Sequence, residues 1–339
     1  MQAALQFTPH LVRGRQALPG LLSMAMVGLA ATFLAEHYGG PQLLYALLFG
    51  MSLNFLAETP ATQPGIDLAA RTVLRCGVAL LGARITLAQL LATGWQATTL
   101  VVIAVFSTLC FGIWLGRRMQ GSAAIGVLCG GSVAICGASA ALALAAVLPR
   151  EERLHRFTLL TVAGVTVLST FSMILYPLLA KWMGLDALNT GVFLGATIHD
   201  VAQVVGAGYM VSPEVGDTAT LIKLLRVSLL LPVVAGVSLC LRWQGAASST
   251  RNASVVPWFL LAFVLVMLVN SAGWLPPQVT HWMTQASRGC LVLAIAALGT
   301  KTSVLQMAKL GWRPVLMLLA TTLFLAMLVG GYLAVSPVL

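Results

Sequence analysis

The stretch ALLGARITLAQLLATGW, Ala79 to Trp95, sets an arginine and a glutamine in the middle of an otherwise apolar run. It recurs. Sliding the chain by 217 positions lays LGARITLAQLLATGW (Leu81 to Trp95) over LGTKTSVLQMAKLGW (Leu298 to Trp312) without a gap. From Arg71 to Trp95, eight of 25 positions are identical, and the matches include Arg71 with Arg288, Gly82 with Gly299, Gln89 with Gln306 and Trp95 with Trp312. Apolar sequence readily yields chance matches of Leu and Ala, but shared Arg, Gln, Gly and Trp are harder to obtain that way. Arg84 falls on Lys301 and Thr86 on Ser303, so the cation inside the apolar run is itself duplicated.

Around this repeat lies a chain of 339 residues that is 59% hydrophobic and 8% charged, with mean hydropathy +0.94. That composition belongs to a polytopic, all-α membrane protein. Apolar segments of the length that crosses about 30 Å of hydrocarbon can be marked at 18–35, 41–56, 67–91, 95–115, 122–148, 157–183, 188–210, 218–241, 255–275, 279–308 and 313–335. The expectation is therefore about eleven transmembrane segments in one transporter domain over residues 1–339, with repeat-related parts at about 67–116 and 284–335. The first segment follows a basic stretch and reads as a retained span, not a cleaved signal. The six cysteines lie in apolar segments without CxxC spacing, so neither a disulfide framework nor a metal site is indicated. The net charge of +10 is scattered over short loops, which argues against nucleic acid and for positive-inside topology.

Arg13 and Arg15 place the N-terminus in the cytoplasm of a bacterial inner-membrane protein, and simple alternation then puts Arg117, Arg118, Lys181, Arg242, Arg251, Lys309 and Arg313 inside. One loop disagrees, since LPREERLHR with Arg150, Arg153 and Arg156 would lie outside. If 122–148 and 188–210 were broken or re-entrant elements, that loop would move inside and only Lys181 would be misplaced. Both segments are interrupted by glycine, at Gly126, Gly130, Gly131 and Gly137 and at Gly191, Gly195, Gly206 and Gly208. Glycine weakens helices and allows backbone other residues avoid. Spanning and re-entry both remain open, as does a packing role for the glycines. Gly126 to Val133 also matches Gly191 to Ile198 at a spacing of 65, which no colinear duplication shares with the spacing of 217.

In either topology the two copies of the opening motif run in opposite directions, as in an inverted-repeat transporter. Arg75, Arg84, Lys223, Arg226, Arg288 and Lys301 fall within apolar segments, whereas Asp200 is the one carboxylate well inside. Each charge at mid-bilayer costs about 2.5–3.5 kcal/mol, so this surplus of cations indicates an anionic solute. Candidate solute-binding residues are Arg84, Lys301, Thr302 and Ser303 of the repeat and Gly130, Gly131, Ser132 and Thr197 of the glycine-rich segments. Candidate coupling residues are His199, Asp200, Gln203 and Lys223. His199 and Gln203 are spaced to share a helix face, and a histidine beside a carboxylate suits proton movement. A structural link from Asp200 to Lys223 or Arg226 is the competing reading.

The motifs GGSVAICGASA, LGATIHDVAQVVGAG, LIKLLRVSLLLP and ALGTKTS resemble, over nearly the whole chain, those of the YeiH-like sulfate exporter family of bacterial inner-membrane proteins. The resemblance implies a fold similar to the cation/proton antiporter and bile acid symporter superfamily, with inverted repeats and discontinuous crossing helices. It also implies sulfate or a related anion as substrate. Export of a small oxyanion such as sulfate, sulfite or a sulfonate, with possible proton coupling, is the first functional expectation. A sodium or proton antiporter is the second, and a non-transporting sensor the third. The chain carries no HExxH, no GxSxG and no embedded carboxylate pair, so no enzyme is expected. No cofactor is expected either. The expected partners are a small anion, protons or sodium, and the bilayer, and a homodimer is compatible.

Overall fold

The computed structural model describes residues 4–86, 88, 94–149, 152–243, 258–302, 312–336 and 338. In chain order the helices are α1 (Ala4–Tyr38), α2 (Gln42–Ser52), α3 (Phe55–Glu58), α4 (Gln63–Leu68) and, after a π-helical turn at Ala69–Val73, α5 (Leu74–Leu81). Next come α6 (Gly94–Gln120), α7 (Ala123–Ala134), α8 (Ala138–Val147), α9 (Glu152–Trp182), α10 (Ala187–Thr197) and α11 (Val201–Val211). The series ends with α12 (Pro213–Ser228), α13 (Leu230–Trp243), α14 (Trp258–Ser271), α15 (Pro277–Lys301) and α16 (Trp312–Val335). No strand occurs among the described residues.

Local chemistry sets several of these boundaries. Ser122 Oγ accepts from Ile125 N at the start of α7, and Asp186 Oδ1 from Asn189 N at the start of α10. Ser212 Oγ accepts from Val215 N, with Pro213 opening α12. These side chains satisfy amides that a helix start leaves without partners.

Among the described residues, five helices are long and apolar enough to cross a membrane: Gln16–Tyr38, Gly94–Gln120, Glu152–Trp182, the bent pair Pro213–Leu241, and Arg313–Val335. Their outer faces carry Leu22, Met26, Leu29, Phe106, Leu178 and Met327 exposed, which suits hydrocarbon and not water. Trp95, Trp182, Trp243, Trp258 and Trp274, all at least half exposed, sit at or near helix ends, where an interfacial aromatic belt is found. The chain is a multi-pass membrane protein. Of the other segments read as spans, 122–148 and 188–210 are broken, 279–308 holds the unbroken 25-residue α15, and the helix inside 41–56 has 11 residues, about 16 Å at 1.5 Å per residue, which is too short to cross alone.

Where one domain is expected over residues 1–339, contacts divide the chain into two units, residues 1–87 with 261–303 and residues 88–260 with 304–339. The first unit holds the leading part of each copy of the opening motif, 79–87 and 298–303. Gly82, just after α5, lies against the backbone of α14; a Cβ there would meet Phe263 O and would sit 3.1 Å from Met267 N. Its counterpart Gly299 on α15 lies against α2 in the same manner, with Leu47 O and, at 3.0 Å, Met51 N as neighbours. Phe263 and Met267 are Leu47 and Met51 advanced by 216.

The correspondence continues at Asn54 and Asn270, also 216 apart. Asn54 Nδ2 donates to Thr300 O (2.6 Å) and Thr302 O (3.4 Å), and Asn270 Nδ2 to Ile85 O (3.5 Å), with Ile85 and Thr302 matched at 217. Contacts at matched spacing thus extend beyond the motif to α2 and α14, Asn54 holding the helix end at Thr300–Thr302 and Asn270 the one at Ile85.

Candidate functional site

Within the first unit, Lys301 Nζ lies 2.5 Å from Asp67 Oδ1, the two side chains being 31% and 42% exposed. Lys301 is therefore not a surplus cation, because Asp67, placed by sequence at the edge of a segment, neutralises it. Arg84 is half-buried in the hydrogen-bonded turn that follows α5, its N–H donating to Leu81 O. Thr302 is buried and its Oγ1 donates to Leu298 O. Ser303 lies outside the described residues. Arg288 is exposed and donates to Gln42 Oε1 from Nε (3.0 Å) and Nη2 (2.8 Å).

The second unit holds both glycine-rich segments, and each doubles back. Gly131 in α7 faces Leu144 near the end of α8, so closely that a Cβ would strike the Leu144 Cδ1. In a continuous helix those residues would stand about 20 Å apart. In the other segment, Gly191 abuts Val215 and Thr218, and Gly195 abuts Ala219 and Ile222, so α10 ascends alongside α12. Gly208 abuts Gly216 and Ala219, so α11 descends the same helix. Both segments are broken helical hairpins, α7–α8 turning at Ile135–Gly137 and α10–α11 at Ile198–Asp200. Gly137 takes φ +63° at the first turn, a conformation that side chains with a Cβ rarely adopt.

The hairpins enter from opposite ends. Arg153 Nη2 donates to Gln120 O (2.9 Å) and Oε1 (3.0 Å), which joins the chain before the first hairpin to the chain after it. Arg153, from the basic stretch that disagreed with simple alternation, is therefore held at the same end of α6 as Arg117 and Arg118. From there α9 runs past both tips in order: Thr161 Oγ1 meets Cys129 Sγ (3.5 Å), Val165 faces Gly137, Ser169 Oγ accepts from Asp200 N (3.0 Å), and Tyr176 packs on Phe193. At its far end, Trp182, the second hairpin begins.

Where the tips meet, two cations from α12 are buried. Lys223 Nζ donates to Ile135 O (2.7 Å), Ile198 O (2.9 Å) and His199 O (2.5 Å). Three acceptors around one nitrogen use every N–H of an ammonium. Arg226 donates from Nε to Ala134 O (2.9 Å), from Nη1 to Gly195 O and Ile198 O (both 3.0 Å), and from Nη2 to Val133 O (2.8 Å). These are the carbonyls left open at the C-terminal ends of α7 and α10, where the helix dipole also favours a cation. Val133 and Ile198, matched at the spacing of 65, are held by the same guanidinium. Matched hydroxyls agree as well: Ser132 Oγ donates to Leu128 O, and Thr197 Oγ1 to Phe193 O (2.6 Å).

The sequence-derived site is thus divided. Gly130, Gly131, Ser132, Thr197, His199, Asp200, Gln203 and Lys223 come together in the second unit, while Arg84, Lys301 and Thr302 belong to the first. Gly130 and Gly131 lie inside α7 in close packing, with a Cβ at Gly130 reaching 3.0 Å from Gly112 Cα. Lys223 and Arg226 do not reach for headgroups; they stitch the two tips. His199 is fully buried and its Nε2 lies 2.9 Å from Thr322 Oγ1 of α16. Asp200 is half-buried and caps α11, Oδ1 accepting from Ala202 N (3.4 Å). Gln203, in the first turn of α11, is 1% exposed, and neither amide atom has a hydrogen-bond partner among the described residues. Arg226, Ser169 and Asp67 were not singled out by sequence as site residues. The spacing of Lys223 and Arg226, three apart on α12, was the available signal for the first.

Comparison with known proteins places this assembly. A family model described as Conserved hypothetical protein 698 matches residues 19–318. The chain is 50% identical over 323 residues to a UPF0324 membrane protein of Chlorobaculum tepidum, covering 94% of this chain and 90% of the other. It is 50% identical over 316 residues to the UPF0324 membrane protein TauZ of Paracoccus denitrificans, covering 92% and 94%. A UPF0324 membrane protein of Pseudomonas putida is 37% identical over 345 residues, covering 97% and 95%. No solved structure matches. With the family model covering most of the chain and these relatives aligned nearly end to end, the protein belongs to the UPF0324 family of membrane proteins, consistent with the YeiH-like resemblance read from its motifs.

Proposed function

We propose that this protein is a secondary transporter that exports a small anion, of the sulfate, sulfite or sulfonate class, across the bacterial inner membrane with its N-terminus in the cytoplasm. The observation that carries this reading is the meeting of two broken hairpins, from opposite ends of α9, around Lys223 and Arg226. Non-helical backbone at membrane depth is tolerated where it is buried in protein or lines a cavity, and interrupted helices near the midplane are where transporters bind solutes. Two cations and one carboxylate, Asp200, stand at the tips, and the N-terminal ends of α8 and α11 add positive potential. An anion is the complement of that field. His199, Asp200 and Gln203 are the groups assigned to the solute and to proton coupling, and no enzymatic step is assigned. The reciprocal contacts of Asn54 and Asn270 and of Gly82 and Gly299 support an inverted repeat in the first unit, with Arg84 and Lys301 as its candidate solute contacts.

Proteoliposomes loaded with labelled sulfate, sulfite or a small sulfonate test the reading. Efflux above that of protein-free vesicles, changed by an imposed pH gradient, is expected; equal efflux from the two refutes it. An Arg84→Ala, Lys301→Ala double variant with unchanged efflux removes those two residues from the site. Cation/proton exchange is favoured by one observation, the carboxylate of Asp67 beside Lys301 within the first unit. Sodium-dependent pH changes in vesicles would support it.

A further inference from the structure

Asp200, Val201, Ala202 and Gln203 have the spacing of a capping box, in which the side chain three residues into a helix reaches back to the N–H of the capping residue. In α11 half of that box is formed. The Asp200 carboxylate accepts from Ala202 N, but the Asp200 N–H donates to Ser169 Oγ on α9 at 3.0 Å. Ser169 has taken the donor that Gln203 Oε1 would accept. Side chains on a helix lean toward its N-terminus, so the Gln203 carboxamide is directed at the hairpin tip. It is 1% exposed, and both Nε2 and Oε1 lack a hydrogen-bond partner among the described residues. A buried amide left in that state is costly and calls for a partner, of which a bound ligand is one.

We infer that Gln203 is a specificity-determining residue that recognises a small oxyanion bearing an adjacent N–H or O–H donor, and that Ser169 is the positioning residue that keeps Gln203 free. The inference rests on the anion reading above and deepens it. Nε2 donates to an anionic oxygen of the solute. Oε1 accepts from the solute's own donor. A fully deprotonated oxyanion satisfies the first atom and leaves the second unpaired, and a site built around such a bond discriminates strongly against an analogue that lacks it.

Three probes of similar size separate the possibilities: aminomethanesulfonate with an N–H donor, hydroxymethanesulfonate with an O–H donor, and ethanesulfonate with none. Calorimetric binding to the purified full chain is expected to favour the two donor-bearing probes by at least about tenfold. Preference for only one of them identifies the donor as N–H or O–H. In Gln203→Leu the preference falls to within about twofold, because the donor-bearing probes lose both bonds and ethanesulfonate only the one to Nε2, and the ligand-free melting temperature rises, because two unpaired polar atoms leave the interior. A structural role for Gln203 would lower it. Ser169→Ala returns the Asp200 N–H to Gln203 and is expected to remove the preference without unfolding the protein, an arm that stands even if Gln203→Leu does not fold. Equal binding of all three probes by the unmodified chain, or a preference that survives either variant, overturns the inference while leaving an anion transporter standing. Silence of all three probes together with sulfate and sulfite overturns both.

Discussion

Arg226→Met removes the guanidinium that joins the hairpin tips. It strips the donors from Val133 O, Ala134 O and Gly195 O, while Ile198 O keeps its bond from Lys223. Each buried carbonyl left without a partner costs about 1–3 kcal/mol, for a gross loss of about 3–9 kcal/mol. Relief from burying a guanidinium offsets part of this, and removing one side of a buried charged network has a net cost of about 3–5 kcal/mol. A loss of that size is a large share of an ordinary stability of about 5–15 kcal/mol. Thermal melting and size-exclusion profiles of the purified protein in detergent measure it. Arg226→Lys retains a cation at the two helix ends but lacks the planar fork that reaches both, and is expected to melt between wild type and Arg226→Met. An Arg226→Met protein that stays monodisperse and melts within about 2 °C of wild type would refute the reasoning.

Two other expectations concern sites of opposite character. The Asp67–Lys301 pair is solvated enough that a double-mutant cycle with Asp67→Asn and Lys301→Met should give a coupling below about 1 kcal/mol; a coupling of several kcal/mol would mean the pair is sealed from water. Gly130→Val pushes a side chain into the Gly112 and Leu109 backbone and should cost about 1–3 kcal/mol. Gly236→Ala on α13, where a Cβ meets nothing within 4 Å, should be neutral or stabilising by up to about 1 kcal/mol, as melting of the two variants side by side would show.

The membrane class and both glycine breaks were legible because composition and glycine spacing are local properties. The misplaced basic loop raised re-entry as one of two open readings, and the Arg153 contact with Gln120 joins the two ends of the first glycine-rich segment. The role of Arg226 was not, because a sequence reports a buried cation without saying whether water, a carboxylate or a cluster of helix-end carbonyls receives it. Asp67 looked interfacial for a similar reason, since its partner lies 234 residues away. The pairing of Asn54 with Asn270 escaped a gapless comparison because α2 and α14 correspond at 216 and the following motif at 217. Ser169 gave no signal at all, because displacement of a capping interaction by a neighbouring helix is a tertiary event.

The account depends most on the two hairpins entering from opposite faces of the membrane. In a chain with its six cysteines replaced, single cysteines at Gln120, Glu152, Trp182 and Glu214 can be challenged with a membrane-impermeant maleimide in right-side-out and inside-out vesicles. Positions 120 and 152 are expected to label from one face, and 182 and 214 from the other. Labelling of 120 and 152 from opposite faces would make the first glycine-rich segment a span, and the meeting of tips on which the proposed transport site rests would be contradicted.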